Sequence, residues 1–169
     1  MRARIAIFFI VIVLGLLILS LSFISNKTVY SSFYKINKYE WLLSDTLVFE
    51  YSHKHSNLNN YNIRLFGEVN QEYSYSNLYL FVDIFLENKK IKRDTLNCIL
   101  YDSFGFPKQK NIGNTQFFKL DYLNKFKFEI NRDYKFKIIQ GMRDLNLKGV
   151  ENIGIKISID IFLNIISIL

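Results

Sequence analysis

Apolar and polar side chains alternate with a period of two along much of this chain. The clearest case is the segment from Tyr61 to Val69, in which Asn62, Arg64 and Glu68 separate apolar residues. Because successive side chains of a strand point to opposite faces of a sheet, this pattern predicts a strand with one buried face. A helix would need apolar residues three and four positions apart, and that spacing is nearly absent beyond the first 25 residues. The sequence therefore predicts an all-β fold.

The same alternation recurs in short runs that are separated by Asn, Gly, Asp or Lys. It predicts strands over 46–51, 61–69, 76–86, 94–101, 116–120, 126–130 and 134–139, and a final strand that carries Ile153, Ile155, Ile157 and Ile159. Residues 87–93 are predicted to form a polar hairpin turn, and residues 143–150 a turn or a single helical turn. Short strands at this spacing predict a single antiparallel β-sandwich, either jelly-roll or immunoglobulin-like.

An N-terminal hydrophobic helix is predicted to precede the sandwich. Residues 5–24 carry no charged side chain, and Arg2 and Arg4 stand directly before them. A basic start followed by an apolar run directs a chain to export, and about 20 helical residues span the hydrocarbon core of a bilayer. We therefore divide the chain into a signal-like or transmembrane segment at 1–25, a sandwich domain at 26–160 and an apolar tail at 161–169.

The fate of the N-terminal segment stays open at this point. Ser20 and Ser22 have the small-x-small spacing of a signal-peptidase site, so cleavage after Ser22 is one outcome. Phe23 and Ile24 extend the apolar run past that site and favour an uncleaved helix, with its arginines on the cytoplasmic side. Either way, the domain is expected in the cell envelope, facing the periplasm, and an uncleaved segment 5–24 would make the membrane a partner of the chain.

Charge and cysteine content exclude some classes of protein. The net charge is +7, but most Lys and Arg residues are scattered singly rather than grouped as a nucleic-acid footprint requires. The one dense cluster, at 89–93, falls in the predicted turn and indicates a solvated loop. Cys98 is the only cysteine, so no intrachain disulfide forms. We expect no nucleic-acid partner.

Candidate catalytic and metal-binding residues are few. His53 and His55 are two positions apart, but a closed zinc site needs four ligands and no carboxylate or cysteine cluster supplies the others. Cys98 lies between Leu96 and Leu100 on an apolar face, which is typical of an inert core thiol. We therefore expect no catalytic residues, no metal, no cofactor and no small-molecule substrate, and hence no enzyme.

A series of short motifs in a fixed order carries a family resemblance. It includes YSYSNLYLF at 73–81, DTL at 94–96, LYDSFG at 100–105, QGMR at 140–143 and LKGV at 147–150. With Trp41 and Asp45 upstream, the series resembles the GldH family of gliding-motility lipoproteins. The resemblance implies a noncatalytic envelope component that works with other gliding lipoproteins and the type IX secretion machinery.

The chain departs from the family pattern at three places. Asn26 stands about where the lipobox cysteine belongs, so the lipid thioether of the family cannot form there. Gly141 stands where the family tends to have alanine, and the glycine-rich stretch after LYDSFG is reduced to residues 107–113. Without a lipid, the apolar segment 5–24 is the anchor that the sequence offers.

Two functions of different class follow for the domain. In the first, it is an interaction component of a gliding or type IX secretion assembly, with a docking patch of Tyr75, Asn77, Tyr79, Arg64 and Arg143, since Tyr and Arg favour interface centres. In the second, it is a carbohydrate- or peptidoglycan-binding module whose aromatic rings stack on sugars. A row of exposed aromatic residues on one sheet would favour the second, and burial of Tyr75, Tyr79 and Phe81 would exclude it.

Overall fold

The computed structural model describes residues 27–54 and 60–159. The predicted N-terminal helix, the tail at 161–169 and His55 lie outside these ranges. Within them, the structure contains no helix whose length and apolar character would let it span a bilayer.

The described residues form an all-β domain, as the alternation predicted. Its strands are β1 (Lys27–Lys35), β2 (Glu40–Leu42), β3 (Leu47–His53), β4 (Tyr61–Val69), β5 (Asn77–Leu86), β6 (Lys89–Ile99), β7 (Asn111–Ile112), β8 (Thr115–Phe126), β9 (Arg132–Gln140), β10 (Asn146–Lys148) and β11 (Val150–Ile159). A single 3-10 turn, Asn37–Tyr39, separates β1 from β2.

The strands pair antiparallel in two main sheets. One has the order β1-β11-β4-β8-β7, and the other has the order β3-β9-β5-β6. A two-stranded ribbon of β10 and β2 lies apart from both. Strands that are neighbours in the chain, such as β3 and β4, therefore often lie in different sheets.

The two main sheets share one hydrophobic core and form a sandwich-like pair of layers. Ile63 and Leu65 of β4 and Leu78 and Leu80 of β5 are buried, although β4 and β5 belong to different sheets. These are the alternating apolar positions of each strand, so one face of each sheet is removed from water. The alternation thus identified the core face correctly.

The predicted turn over 87–93 is wrong. Leu86 pairs with Lys89, so only residues 87 and 88 form the turn, and the basic cluster belongs to β6. Residues 89–93 pair with β5, and within this ladder Lys90 Nζ and Arg93 Nε lie 3.3 Å and 3.2 Å from the carboxylate of Asp83, which is largely buried. A buried carboxylate requires such partners, and an extended β6 places both cations beside it.

The predicted strand over 126–130 is also wrong. Its apolar residues suggested alternation, but residues 127–131 form a loop in which Phe128 is buried among aromatic rings. The prediction for 143–150 missed the short strand β10, and no strand was predicted at β1. Alternation predicts strands poorly where a residue is buried by tertiary contacts and not by its position on the inner face of a strand.

The strand directions define two ends of the sandwich. Lys27 pairs with Ile159, so both limits of the described chain lie at one end, which we call the basal end. The opposite end, which we call the loop end, carries the connections 70–76, 100–114 and 141–149 and the ribbon of β2 and β10. The 10 residues of β5 run between the ends, a span of about 30 Å.

Candidate functional site

Three of the five predicted patch residues meet at the loop end. Tyr75, Tyr79 and Arg143 line a cleft of about 600 Å³ together with Gly141 and Met142. Tyr79 lies on the outer face of β5, whereas Gly141 follows the last residue of β9. The two segments are joined by a hydrogen bond from the Gly141 N–H to the Tyr79 carbonyl, at 2.7 Å. The cleft is therefore built where β5 begins and β9 ends.

Tyr75 is fixed at one side of the cleft by a hydrogen bond. Its hydroxyl donates to the Asp144 carboxylate at 2.7 Å, and its ring packs edge-on against Tyr73. The hydrogen bond to Asp144 raises the pKa of the Tyr75 phenol above its usual value, because the neighbouring carboxylate opposes a phenolate. Tyr75 thus remains a neutral ring with its hydroxyl already engaged.

The turn at 141–144 is held by Gln140, which is fully buried. The Gln140 side-chain amide donates to the Asp144 carbonyl at 2.7 Å, and its oxygen accepts the Met142 N–H at 2.8 Å. The Met142 sulfur in turn accepts the Tyr79 N–H at 3.3 Å. These bonds fix the backbone around the cleft while Arg143 remains exposed at its rim.

The other two predicted residues do not join this group. Asn77 donates from its side chain to Asn97 on the neighbouring strand at 2.8 Å and is not part of the cleft lining. Arg64 lies on β4 in the other sheet, where it forms an ion pair with Asp121 at 2.5 Å. The predicted proximity of Arg64 to the tyrosines is therefore wrong, because the linear order of motifs does not reveal that β4 and β5 lie in different sheets.

Sequence reasoning missed three apolar residues at the same end. Phe104, Phe106 and Leu145 are 84%, 67% and 77% exposed, respectively. The Asp102 carboxylate accepts the N–H groups of Phe104 and Phe106, both at 2.9 Å, and so fixes the loop that presents them. Phe104 and Phe106 lie outside the alternating segments. The sequence therefore carries no signal that distinguishes an exposed phenylalanine in a loop from a buried one.

The exposed aromatic row along β5 is short. Tyr75 and Tyr79 are 37% and 39% exposed, but Phe81 and Phe85 are more deeply buried. Arg93 lies 5.6 Å from the Phe81 ring centre, and Lys137 lies 4.7 Å from that of Phe85, so cations cover the rest of the row. The rings of Tyr75 and Tyr79, at the loop end, are therefore the most accessible aromatic rings of this row.

His53 and Cys98 both lie in the core. The His53 ring is fully buried, stacks on Phe128 and contacts Tyr51 through Nδ1 at 3.1 Å. Cys98 is buried in β6, as predicted, and burial raises the pKa of its thiol to about 12. A thiol with that pKa stays protonated near neutral pH and is a poor nucleophile. Across residues 27–54 and 60–159, no three His, Cys, Asp or Glu side chains converge as a metal site would require.

Comparison with known proteins assigns the chain to a family. A family model described as GldH lipoprotein matches residues 28–157 of the 169-residue chain. The chain belongs to the GldH lipoprotein family. This confirms the resemblance carried by the ordered motifs, and it associates the protein with gliding motility and with the cell envelope.

Other comparisons give little more. No curated protein matches the chain. A solved structure of infectious bursal disease virus, Gx strain, is similar at 12% identity with a TM-score of 0.28, covering 78% of this chain and 31% of that one. The chain thus spans about a third of the length of that viral chain.

Gly141, where the sequence suggested a departure from the GldH pattern, lies at the cleft itself. A Cβ atom added to Gly141 would lie 3.2 Å from the Tyr79 Cβ and 3.3 Å from the Phe81 ring. These distances are short, so an alanine there would require the two side chains to move by a few tenths of an ångström. Glycine at this position lets the turn pack closer to β5 than an alanine would.

Proposed function

We propose that this GldH-family protein is a noncatalytic interaction component of a gliding or type IX secretion assembly in the cell envelope. Its loop end would bind another exported envelope protein of that assembly. The observation that carries the proposal is the set of strongly exposed apolar side chains at the loop end, Phe104, Phe106 and Leu145, which share that end of the sandwich with the cleft of Tyr75 and Tyr79.

The strand order supports a jelly roll as the scaffold of this binding module. Numbered in chain order, the eight long strands β1, β3, β4, β5, β6, β8, β9 and β11 fall into sheets with the orders 1-8-3-6 and 2-7-4-5. The first two long strands lie in different sheets, whereas in an immunoglobulin fold they pair in one. A jelly roll collects alternate connections at one end and can present them together, as the loop end does here.

The position of the chain ends also favours the loop end as a binding surface. Residue 27 lies at the basal end, so residues 1–26 join the domain there. If that segment anchors the protein in the membrane, the loop end points away from the attachment point. A surface in that position is accessible to proteins elsewhere in the periplasm.

The chemistry of the cleft is suited to a protein partner. Aromatic residues, Met and Arg are enriched at interface cores, and the Met142 thioether can adapt to irregular surfaces. Burial of each large apolar side chain contributes about 1.5–3 kcal/mol. A partner that buries both Phe104 and Phe106 would lose about 3 kcal/mol of binding energy, or about 100-fold in affinity, when they are replaced.

A co-purification experiment tests the proposal. The tagged full chain and its Phe104→Ser/Phe106→Ser variant would be isolated from membranes of cells that carry gliding and secretion lipoproteins. A Phe33→Ser variant is the matched control, because Phe33 is 62% exposed but lies on β1, an edge strand of the other main sheet, and not in the connections that carry Phe104, Phe106 and Leu145. Recovery of such lipoproteins by the native chain and the control, but not by the double variant, supports the proposal. Equal recovery by all three would refute it.

Carbohydrate binding is a second candidate because Tyr79 on the outer face of β5 and Tyr75 in the connection before it are exposed and line one cleft. Two adjacent rings can stack on neighbouring sugar units. Titration with peptidoglycan fragments, followed by tyrosine fluorescence, would test this. Saturable binding that is lost in Tyr79→Ala supports the candidate, and absence of binding by the native chain excludes it.

A further inference from the structure

We infer that the basal end is a membrane-contact surface that rests on anionic phospholipid headgroups. This inference is independent of the proposed function, because it concerns the opposite end of the domain and needs no protein partner. It rests on the charges, the exposed apolar side chains and the chain ends that meet there.

Basic side chains converge at the basal end from several connections. Lys27 begins β1, Lys54 follows β3, Lys89 begins β6, and Lys125 and Lys127 lie where β8 ends. No carboxylate of the described chain lies within salt-bridge distance of any of these five lysines, since the salt bridges of that part involve other cations. Their charges are therefore available to an external anion.

The carboxylates of the basal end are already engaged. Glu87 forms an ion pair with Arg132 at 2.5 Å, and Glu129 lies 3.8 Å from the same guanidinium. Asp133 accepts a hydrogen bond from the Ser52 hydroxyl at 2.6 Å. With Asp83, which is paired with Lys90, four carboxylates thus face seven cations in the described part of this end. The seven cations are the five unpaired lysines, Lys90 and Arg132. The surface is strongly basic.

Two exposed isoleucines lie within this basic surface. Ile130 is in the loop between β8 and β9, and Ile91 is the extra residue of a bulge near the start of β6. Neither position contributes to the shared core. Lysines around exposed apolar side chains are the composition of a surface that binds the interface of an anionic membrane.

The chain ends identify a bilayer as the occupant. Residue 27 continues from the apolar run 5–24, and Ile159 leads to the apolar tail 161–169, so both apolar segments join the domain at the basal end. A membrane that holds either segment brings its headgroups close to the five lysines. Juxtamembrane lysines are attracted to anionic lipids, and this attraction is screened by salt over about 10 Å.

Fluorescence quenching in vesicles tests the inference. The full chain with Cys98→Ala would carry one new cysteine, either Ile130→Cys or Phe104→Cys, labelled with a fluorophore. It would be reconstituted in vesicles of phosphatidylcholine alone or with phosphatidylglycerol, both containing a lipid with a nitroxide headgroup. We expect at least about twofold stronger quenching at position 130 in the anionic vesicles, loss of that difference in high salt, and little quenching at position 104.

Charge reversal distinguishes the basic surface from simple tethering by the apolar segments. Lys89→Glu/Lys125→Glu/Lys127→Glu should abolish the lipid dependence at position 130. Lys108→Glu/Lys110→Glu at the loop end is the control and should leave the dependence unchanged. Circular dichroism would verify that both variants are folded. Quenching at position 130 that is the same in both lipid compositions, or that survives the triple reversal, would overturn the inference.

Discussion

Replacement of Phe128 by alanine should destabilise the domain more than any other single substitution in its loops. Phe128 is 1% exposed although it lies in a loop, and five rings surround it at centroid distances of 4.8–5.3 Å, those of Tyr51, His53, Tyr61, Phe126 and Tyr134. Truncation of a buried Phe to Ala costs about 3–5 kcal/mol through lost burial and the remaining cavity. Because several edge-on ring contacts are also lost, we expect a value above the lower limit, at about 4 kcal/mol.

Urea unfolding of the full chain in mild detergent measures this change. Trp41 is the only tryptophan and is buried, so its fluorescence reports the loss of the core. With a urea dependence of about 2 kcal/mol per molar, typical of small domains, Phe128→Ala should lower the midpoint by about 2 M. Phe33→Ala is the control and should change stability by less than about 0.5 kcal/mol. A shift below about 0.5 M for Phe128→Ala would refute the claim that this loop closes the core.

The remaining predictions concern titration, an ion pair and the cleft turn. Burial raises the pKa of Tyr51 and of Cys98 to about 12, so the folded state retains protons that the unfolded chain releases from about pH 9. The free energy of unfolding should therefore fall as pH rises from about 9 to 12, and Cys98→Val should flatten part of that fall in urea titrations. Asp83→Asn should cost about 1 kcal/mol and lower the thermal midpoint, since its cationic partners are half-exposed. Gln140→Ala should cost about 1–3 kcal/mol and accelerate amide exchange of Met142, whose N–H would lose its acceptor.

The fold class and much of the core followed from local pattern. β4 runs from Tyr61 to Val69 as predicted, because a half-buried strand must alternate. The strand prediction for 126–130 was wrong, because Phe128 is buried by contacts with residues that are distant in the sequence. The turn predicted over 87–93 is wrong for a related reason, since residues 89–93 pair with β5 across the hairpin and two of their cations contact Asp83 there.

The candidate site was predictable only in part. Tyr75, Tyr79 and Arg143 belong to motifs that stand out in the sequence, and the structure places them in one cleft. The prediction placed Arg64 with them wrongly, because a local sequence pattern does not show which of the two sheets a strand joins. The exposure of Phe104 and Leu145 could not be predicted from the sequence either, since composition alone does not show which apolar loop residues face water.

Site-specific photo-crosslinking in living cells tests the central claim most directly. A photoreactive amino acid would replace Phe104 at the loop end, Phe33 on β1 or Ile130 at the basal end, one at a time, in a host that carries gliding and secretion lipoproteins. The proposed function predicts a crosslink to one such exported protein from position 104 that is absent from positions 33 and 130. Crosslinks to that protein from positions 33 or 130 but not from 104 would contradict it, as would the absence of any envelope protein crosslinked at position 104.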